Sequence, residues 1–213
     1  MGGYTEYRTR EYNTRLFIYS WKNGLPSNYR VMNVPDELMQ DKNYGEDKLY
    51  LLEQVDWRNN YEGNNMLGAG YAGVNLPFGK WNIYAGVRFE HSRMELISNT
   101  QKNEKSPTSV YYTYDDFFPS LNAAYRLNEQ HQFRLSYGRT VNRPEFREVS
   151  SSVYYDFDLA SNVQGNYDLK AAYIDNIDLG YEYYPSNGEL ISVSLFYKKF
   201  KNPIEWTYTV AGG

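Results

Sequence analysis

Alternation of apolar and polar side chains is clearest in residues 81–97 of this chain. Every second residue at its start is apolar, and small or polar residues stand between them: Trp81, Ile83, Ala85, Val87 and Phe89 against Asn82, Tyr84, Gly86, Arg88 and Glu90. Successive side chains of a strand point to opposite faces of its sheet. The pattern therefore predicts a strand with one apolar and one polar face.

Similar alternation predicts five further strands, at residues 66–78, 117–127, 131–141, 173–184 and 191–197. A seventh strand is predicted over residues 4–19, where Tyr, Thr and Phe are frequent although Arg and Glu blur the alternation. The sequence therefore predicts an all-β, antiparallel protein.

The connections between these strands fall into two length classes. Tight turns are predicted at residues 77–80, 128–130 and 185–188, and long polar loops at 20–61, 98–116 and 142–171. The first long loop includes a possible short element at 49–55. The classes alternate, so all tight turns lie on one rim of the sheet and all long loops on the other. This asymmetry is typical of outer-membrane barrels, whereas a soluble β-sandwich has no reason to separate its loops by length.

The amino-acid composition supports a β-protein and excludes some kinds of functional site. Aromatic residues make up 18% of the chain, with 24 Tyr, as in half-exposed sheets and in the aromatic belts of membrane barrels. No apolar run approaches the roughly 20 residues of a membrane helix. The chain has no Cys, which excludes disulfides and thiolate ligands, and its net charge of -4 disfavours nucleic-acid binding.

The sequence contains no recognisable catalytic or cofactor motif. It has neither a nucleophile elbow, a zinc-protease helix, a phosphate loop nor a dinucleotide turn. His91 and His131 lie on different predicted strands, and the acidic pairs Asp115-Asp116 and Asp156-x-Asp158 lack the spacing of a calcium loop. We therefore expect no metal, no cofactor and no enzymatic activity, and an outer-membrane hydrolase is disfavoured because no catalytic constellation is present.

Four stretches resemble the barrel half of TonB-dependent outer-membrane receptors, in particular their Bacteroidetes-like branch. They read AGYAGVNLPFGKWNIYAGVRFEHS, FPSLNAAYRLNEQHQFRLSYGRTVNRPEFRE, GNYDLKAAYIDNIDLGYEYYP and ISVSLFYKKFKNPIE. The most specific parts are YGRTVNRP at 137–144 and the Gly-Asn-x-x-Leu-Lys run at 165–170. Tyr167 and Ala171 stand where relatives usually carry proline, so the stiffness of this loop differs from the family pattern.

The resemblance implies a barrel of about 22 strands around a plug domain. Such a receptor imports a scarce solute across the cell outer membrane and is driven by the TonB energy-transducing complex. Its partners would be that complex, membrane lipid and lipopolysaccharide. Seven strands do not close such a barrel, and the sequence contains neither plug, coupling box nor signal peptide. We therefore expect residues 1–213 to be an internal segment of the barrel domain.

The long loops of such a receptor would recognise the solute. The candidate residues for solute contact are Arg139, Arg143, Tyr154, Tyr155, Asp156 and Asn166. For the two arginines the functional interpretation is contact with anionic lipopolysaccharide or with an anionic ligand. Their other interpretation is structural, as partners of Glu145 or Glu148 that fix the base of the loop. Charged residues predicted on the polar face, such as Arg134 and Glu182, are expected to form cross-strand ion pairs within the sheet that makes up the barrel wall. The sequence leaves siderophore, cobalamin, peptide and glycan open as solutes, and a soluble secreted carbohydrate-binding module remains the alternative function.

Overall fold

The computed structural model describes residues 1–22, 39–45 and 47–209 of the 213-residue chain. Eleven strands are described in this part: β1 (Gly2–Tyr12), β2 (Leu16–Trp21), β3 (Leu49–Gln54), β4 (Tyr61–Phe78), β5 (Trp81–Asn99), β6 (Pro107–Arg126), β7 (His131–Asn142), β8 (Val153–Asp156), β9 (Ser161–Gln164), β10 (Ala172–Tyr183) and β11 (Ile191–Lys201). A seven-stranded antiparallel sheet has the order β1-β4-β5-β6-β7-β10-β11. The pairs β2-β3 and β8-β9 form two separate hairpins.

The seven predicted strands correspond to the seven strands of the large sheet, and the three tight turns join β4 to β5, β6 to β7 and β10 to β11. The single strand predicted over residues 4–19 is wrong, because β1 ends at Tyr12 and β2 pairs with β3 in a different sheet. β3 coincides with the short element predicted inside the loop 20–61. Part of that loop, residues 23–38 and 46, lies outside the described residues.

The predicted loop 98–116 is too long. β5 continues to Asn99 and β6 begins at Pro107, so only residues 100–106 connect them. Polar residues of the predicted loop are paired across the two strands, as Ser98 is with Thr108. The sequence hides this extension because tyrosines occupy both faces of β6, at Tyr111, Tyr112 and Tyr114, and so blur the alternation. The acidic pair Asp115-Asp116 consequently lies within a strand.

One face of the sheet carries a row of aromatic residues next to the tight turns. The row pairs the aromatic residues Phe78, Trp81, Tyr125, Phe133 and Tyr181 in this order across five strands and ends at Val193 on the sixth. Its rings are in contact: the centroids of Trp81 and Tyr125 are 4.6 Å apart, and those of Phe133 and Tyr181 are 5.1 Å apart. A continuous aromatic row at one rim is the belt expected at the headgroup level of a membrane.

An apolar band continues from the aromatic row toward the long loops. Its next two rows are Leu76, Ile83, Ala123, Leu135, Leu179 and Leu195, and then Val74, Ala85, Leu121, Tyr137, Ile177 and Tyr197. Most of these side chains are exposed in the sheet, Leu195 at 67%. On β5 the apolar positions run from Trp81 to Phe89, about the 9–11 residues with which a tilted strand crosses a bilayer. This face is therefore the lipid-facing side of the wall.

Beyond this band, toward the long loops, the apolar residues lie on the opposite face of the sheet. On β5, Met94 and Leu96 are buried on the opposite face, which we call the inner face, while His91 and Arg93 on the lipid-facing side are exposed. A hydrophobic core forms there from Tyr61, Met94, Leu96, Tyr112, Phe146 and Val149. The first half of β5 therefore faces lipid, and its second half is covered on the inner face by a packed loop.

No helix in the described part of the chain is long and apolar enough to cross a membrane.

Thiol labelling tests which rim faces the cell exterior. The chain has no Cys, so Asp158→Cys at the tip of the β8-β9 hairpin and Asn187→Cys in the tight turn before β11 each introduce the only thiol of the chain. Both positions are exposed. In intact cells we expect an impermeant maleimide to label the first and not the second, because long loops of outer-membrane barrels face outward. Labelling of Asn187→Cys alone would reverse the topology.

Candidate functional site on the inner face

The segment between β7 and β10 folds onto the inner face of the wall. Its short helix Phe146–Val149 starts with a reciprocal capping box, in which the side chains of Glu145 and Glu148 each accept a backbone N–H of the other residue. Phe146 and Val149 are buried against Tyr61 and Leu96. The loop between β7 and β10, residues 143–171, is therefore fixed over the inner face, and we call it the platform.

The Gly-Asn-x-x-Leu-Lys run supports this platform. A side chain at Gly165 would collide with backbone carbonyl oxygens of the helix and of Ser150. The backbone N–H of Asn166 donates to the carbonyl of Glu148 (2.6 Å), and its side-chain oxygen accepts from the N–H of Asp168 (2.9 Å). Leu169 then packs against the hydrophobic core. The motif identified in the sequence thus has a structural role: it holds the part of the loop that leads back to β10 against the short helix. We call this set of contacts the clasp.

Two further contacts join the platform to the segment before β4 and to the last residue of β5. The Asn59 side chain accepts from the backbone N–H of Val153 (2.9 Å), and Ser151 donates to the carbonyl of Asn99 (2.7 Å). Nearby, a bidentate hydrogen bond from Arg58 lowers the pKa of the Asp56 carboxyl. Parts of two loops that are distant in sequence therefore form one assembly above the wall.

A buried ion cluster lies where β6 and β7 separate. Their pairing ends at Ser120 and Gly138, beside Pro119, which has no N–H to donate to a neighbouring strand. Arg143 donates to Glu90 (2.7 Å) and to Asp116 (2.8 Å), and all three side chains are at most 16% exposed. The hydroxyl of Tyr173 donates to Asp116 as well (2.6 Å). The cluster ties the base of the loop to two strands of the wall.

This geometry corrects the predicted partners of the two arginines. Neither Glu145 nor Glu148 pairs with them, because both carboxylates are used in the helix cap. Arg143 pairs with carboxylates on β5 and β6 instead. Arg139 lies 3.9 Å from Asp175 and is stacked over the ring of Tyr173. Because the Tyr173 hydroxyl donates to Asp116, this ring links Arg139 to the cluster that holds Arg143. The predicted wall pairing is present, with Arg134 2.9 Å from Glu182.

The other candidate residues belong to the loop assembly. Arg147 stacks over the ring of Tyr154 at 3.6 Å from its centroid, and Asp156 accepts the backbone N–H groups of Asp158 and Leu159 in the β8-β9 turn. Tyr155 is 49% exposed and contacts Phe157 at the same tip. Solute contact by these residues stays a prediction; Tyr155 and Asn166 are the exposed ones among the six candidates.

A cleft of about 560 Å³ opens between the platform and the inner faces of β1, β4 and β5. Its polar lining includes Arg8, Arg10, Asn65, Ser92, Tyr114 and Glu145. Arg8 is paired with Glu6 (2.7 Å), whereas Arg10 forms no ion pair with any described residue. A volume of this size suits a small-molecule ligand. Arg8 and Arg10 are not among the residues predicted from the sequence, because only the β1-β4 register brings them beside the loop.

Both histidines make local contacts. His91 is 2.7 Å from Asp115, and His131 is 2.7 Å from the Tyr181 hydroxyl and stacks on Tyr183. Within residues 1–22, 39–45 and 47–209, no group of three His, Cys, Asp or Glu side chains is arranged to hold a metal ion.

Comparison with known proteins assigns the chain to a family. The sequence model of the outer membrane protein beta-barrel family matches residues 36–212. This is most of the chain, so the chain belongs to that family. The protein is accordingly a segment of an antiparallel β-barrel of the cell outer membrane, with short turns on one rim and long loops on the other. No curated protein matches it.

Among solved structures, the chain is similar to the ferric enterobactin receptor (PfeA) of Pseudomonas aeruginosa. One mutant of that receptor is 17% identical with a TM-score of 0.44 and is matched over 94% of this chain and 32% of its own. A second mutant gives 15%, 0.43, 95% and 32%, and the complex with BCV-L6 gives 16%, 0.43, 94% and 33%. The chain thus spans about a third of the length of these receptors. The Bacteroidetes-like branch stays a prediction.

Proposed function

We propose that this chain is part of the barrel domain of a TonB-dependent receptor that takes up a scarce solute through the outer membrane. The family membership and the four receptor-like sequence stretches support this proposal. The observation that carries it is the loop between β7 and β10, which is fixed over the inner face and borders an open cleft. A receptor needs an ordered surface of this kind above its lumen, whereas an enzyme needs a catalytic constellation.

The partners follow from the same proposal. The lipid-facing band contacts the membrane, and the TonB complex would act through a plug domain in the lumen. Arg10 and Tyr155 are the side chains we assign to solute contact, because Arg10 faces the cleft without a described ion-pair partner and Tyr155 is exposed at the hairpin tip. The alternative, a soluble carbohydrate-binding module, is disfavoured because the apolar band would then be open to water.

Energy-dependent uptake tests the proposal. Cells that produce the receptor containing this chain are compared with cells lacking it, for uptake of radiolabelled ferric siderophores, cobalamin, peptides and glycans. We expect one solute class to be taken up only when both the receptor and TonB are present. Uptake that persists without TonB, or no solute class that depends on the receptor, would contradict the proposal.

A matched pair of variants locates the solute contact. Arg10→Ala removes the cleft cation that has no described ion-pair partner and is expected to weaken binding of the solute by about tenfold to a hundredfold, as loss of a hydrogen bond to a charged group costs about 1.5–3 kcal/mol. Thr5→Ala changes the same strand at a position outside the cleft and is expected to leave binding unchanged. The dissociation constant is measured on the purified receptor. Equal binding by both variants would remove Arg10 from the site.

A further inference from the structure

The half of β6 that is nearer the long loops has a free edge. β6 pairs with β7 only from Ser120 to the tight turn, whereas it pairs with β5 along its whole length, from Pro107. β6 lies inside the sheet, between β5 and β7, so further barrel strands would join β1 and β11 and not this edge. The free edge is therefore a feature of the fold and is not left by a neighbouring strand that lies outside residues 1–213.

Alternate residues of β6 direct their backbone hydrogen-bonding groups toward this edge. Next to the tight turn, the N–H of Arg126 donates to Lys80 on the β5 side (2.8 Å), and the N–H of Leu127 donates to His131 on the β7 side (3.0 Å). The two sides alternate along an antiparallel strand, and the register with β5 is unbroken, so odd-numbered residues face the free side. We call four of them the open edge: Ser109, Tyr111, Thr113 and Asp115.

The backbone of the open edge is unpaired. Its N–H and C=O groups form no hydrogen bond with any residue in 1–22, 39–45 and 47–209. All four side chains are exposed. They lie beyond Phe117, which pairs with Phe89 at the end of the apolar band, so water and not lipid surrounds them. An exposed strand edge of this kind is a template for pairing with another extended chain.

The open edge borders the cleft. Tyr114 on β6 and Val141 on β7 both line it, so the cleft reaches the place where the two strands separate. Near Asp116, the residue that follows the open edge, the Nε atoms of Arg139 and Arg143 are buried and have no hydrogen-bond partner among the described residues. A chain that lies beside β6 would therefore meet unpaired backbone groups along its length and unpaired guanidinium donors at one end.

We propose that the solute of this receptor is a peptide, bound in an extended conformation as an additional strand on the open edge of β6. The inference rests on the proposed function and names its substrate class. The unpaired N–H and C=O groups repeat about every 6.6–6.8 Å, the length of two strand residues. A polypeptide backbone matches this repeat, whereas a siderophore, a cobalamin or a glycan has no such periodic series of donors and acceptors. In strand addition the main chain provides affinity, and alternate side chains, here directed to the cleft, provide specificity.

Binding of synthetic peptides to the purified receptor tests this proposal. A random library of unmodified octapeptides is passed over the immobilised receptor, the retained sequences are identified by mass spectrometry, and the dissociation constant of the most enriched peptide is measured. Thr113→Pro removes an N–H of the open edge and no hydrogen bond of the wall. It is expected to weaken binding at least about tenfold, because a peptide carbonyl loses its donor. Thr113→Ala keeps that N–H and is expected to bind like the parent.

N-methylation of the enriched peptide gives a test that does not depend on the folding of a variant. Each analogue carries one methyl group on one backbone nitrogen, and binding to the parent receptor is measured. Alternate N–H groups of a strand face its neighbour, so affinity is expected to fall about tenfold at every second residue and to stay unchanged between them. Methylation that has the same effect at all positions would overturn the proposal.

Two other results would also overturn it. One is that no octapeptide is retained, or that Thr113→Pro binds the enriched peptide as the parent does. The other is a receptor dimer that Thr113→Pro dissociates, which would assign the open edge to a second copy of the chain. Energy-dependent uptake is measured separately. A peptide that binds with the period of two but is not taken up contradicts transport and supports the peptide site, whereas TonB-dependent uptake of another solute class without peptide binding contradicts the peptide site alone.

Discussion

Leu135→Arg is expected to lower the free energy of unfolding of the membrane-inserted protein by about 2–4 kcal/mol, the cost of a lipid-facing Arg near the bilayer midplane. Leu135 lies on β7 inside the apolar band, between Ala123 on β6 and Leu179 on β10. Its side chain is 43% exposed in the sheet, so lipid and not protein surrounds it. The measurement is denaturant unfolding of the protein folded into phospholipid vesicles.

The adjacent residue provides the control for this prediction. Ser136 points to the inner face, where its paired residues are Asn122 and Asp178. An arginine at Ser136 meets polar groups and a carboxylate, so Ser136→Arg is expected to change the unfolding free energy by no more than about 0.5 kcal/mol. Equal losses from the two variants would mean that both faces of β7 are dry, as in a soluble sandwich, and the membrane assignment of this strand would be wrong.

The sequence predicts the membrane half of the wall well because lipid on one side and a polar lumen on the other impose a strict period of two. Trp81 to Phe89 shows this pattern without exception. Beyond the band, toward the long loops, neither side of the strand faces lipid, so the alternation of apolar and polar residues is no longer imposed. There β5 places Met94 and Leu96 on the inner face under a loop, and β6 carries tyrosines on both faces. The loop predicted at 98–116 is overextended for this reason.

The candidate site depends on contacts that sequence distance conceals. Arg143 is 53 residues from Glu90 and 27 from Asp116, whereas Glu145 and Glu148 are close in sequence but have another use in the helix cap. Arg10 enters the cleft only because β1 pairs with β4. The strand register decides which residues pair across neighbouring strands. The register of strands that are distant in sequence does not follow from the sequence alone. Motif spacing was sufficient to locate Gly165 and Asn166, although not to assign their structural role.

Gly165→Ala is expected to detach the loop between β7 and β10 from the wall. The added methyl group would lie 2.7 Å from the carbonyl oxygens of Arg147 and Glu148, and closer still to that of Ser150. These are backbone atoms, and Glu148 is held by the hydrogen bond from the N–H of Asn166, so neither side moves without breaking the clasp. Overpacking of this kind costs about 3 kcal/mol. We expect new protease cleavage within residues 142–171 on intact cells and loss of solute binding.

Two other glycines show whether the effect is specific to the clasp. At Gly138, on the inner face of β7, an added Cβ meets nothing within 4 Å, so Gly138→Ala is expected to remain as resistant to protease as the parent. At Gly63 the added Cβ would meet the ring of Phe146, which is a side chain and can rotate, so Gly63→Ala is expected to loosen the platform less than Gly165→Ala. A Gly165→Ala receptor whose loop resists protease like the parent would show that the platform does not depend on this close backbone contact.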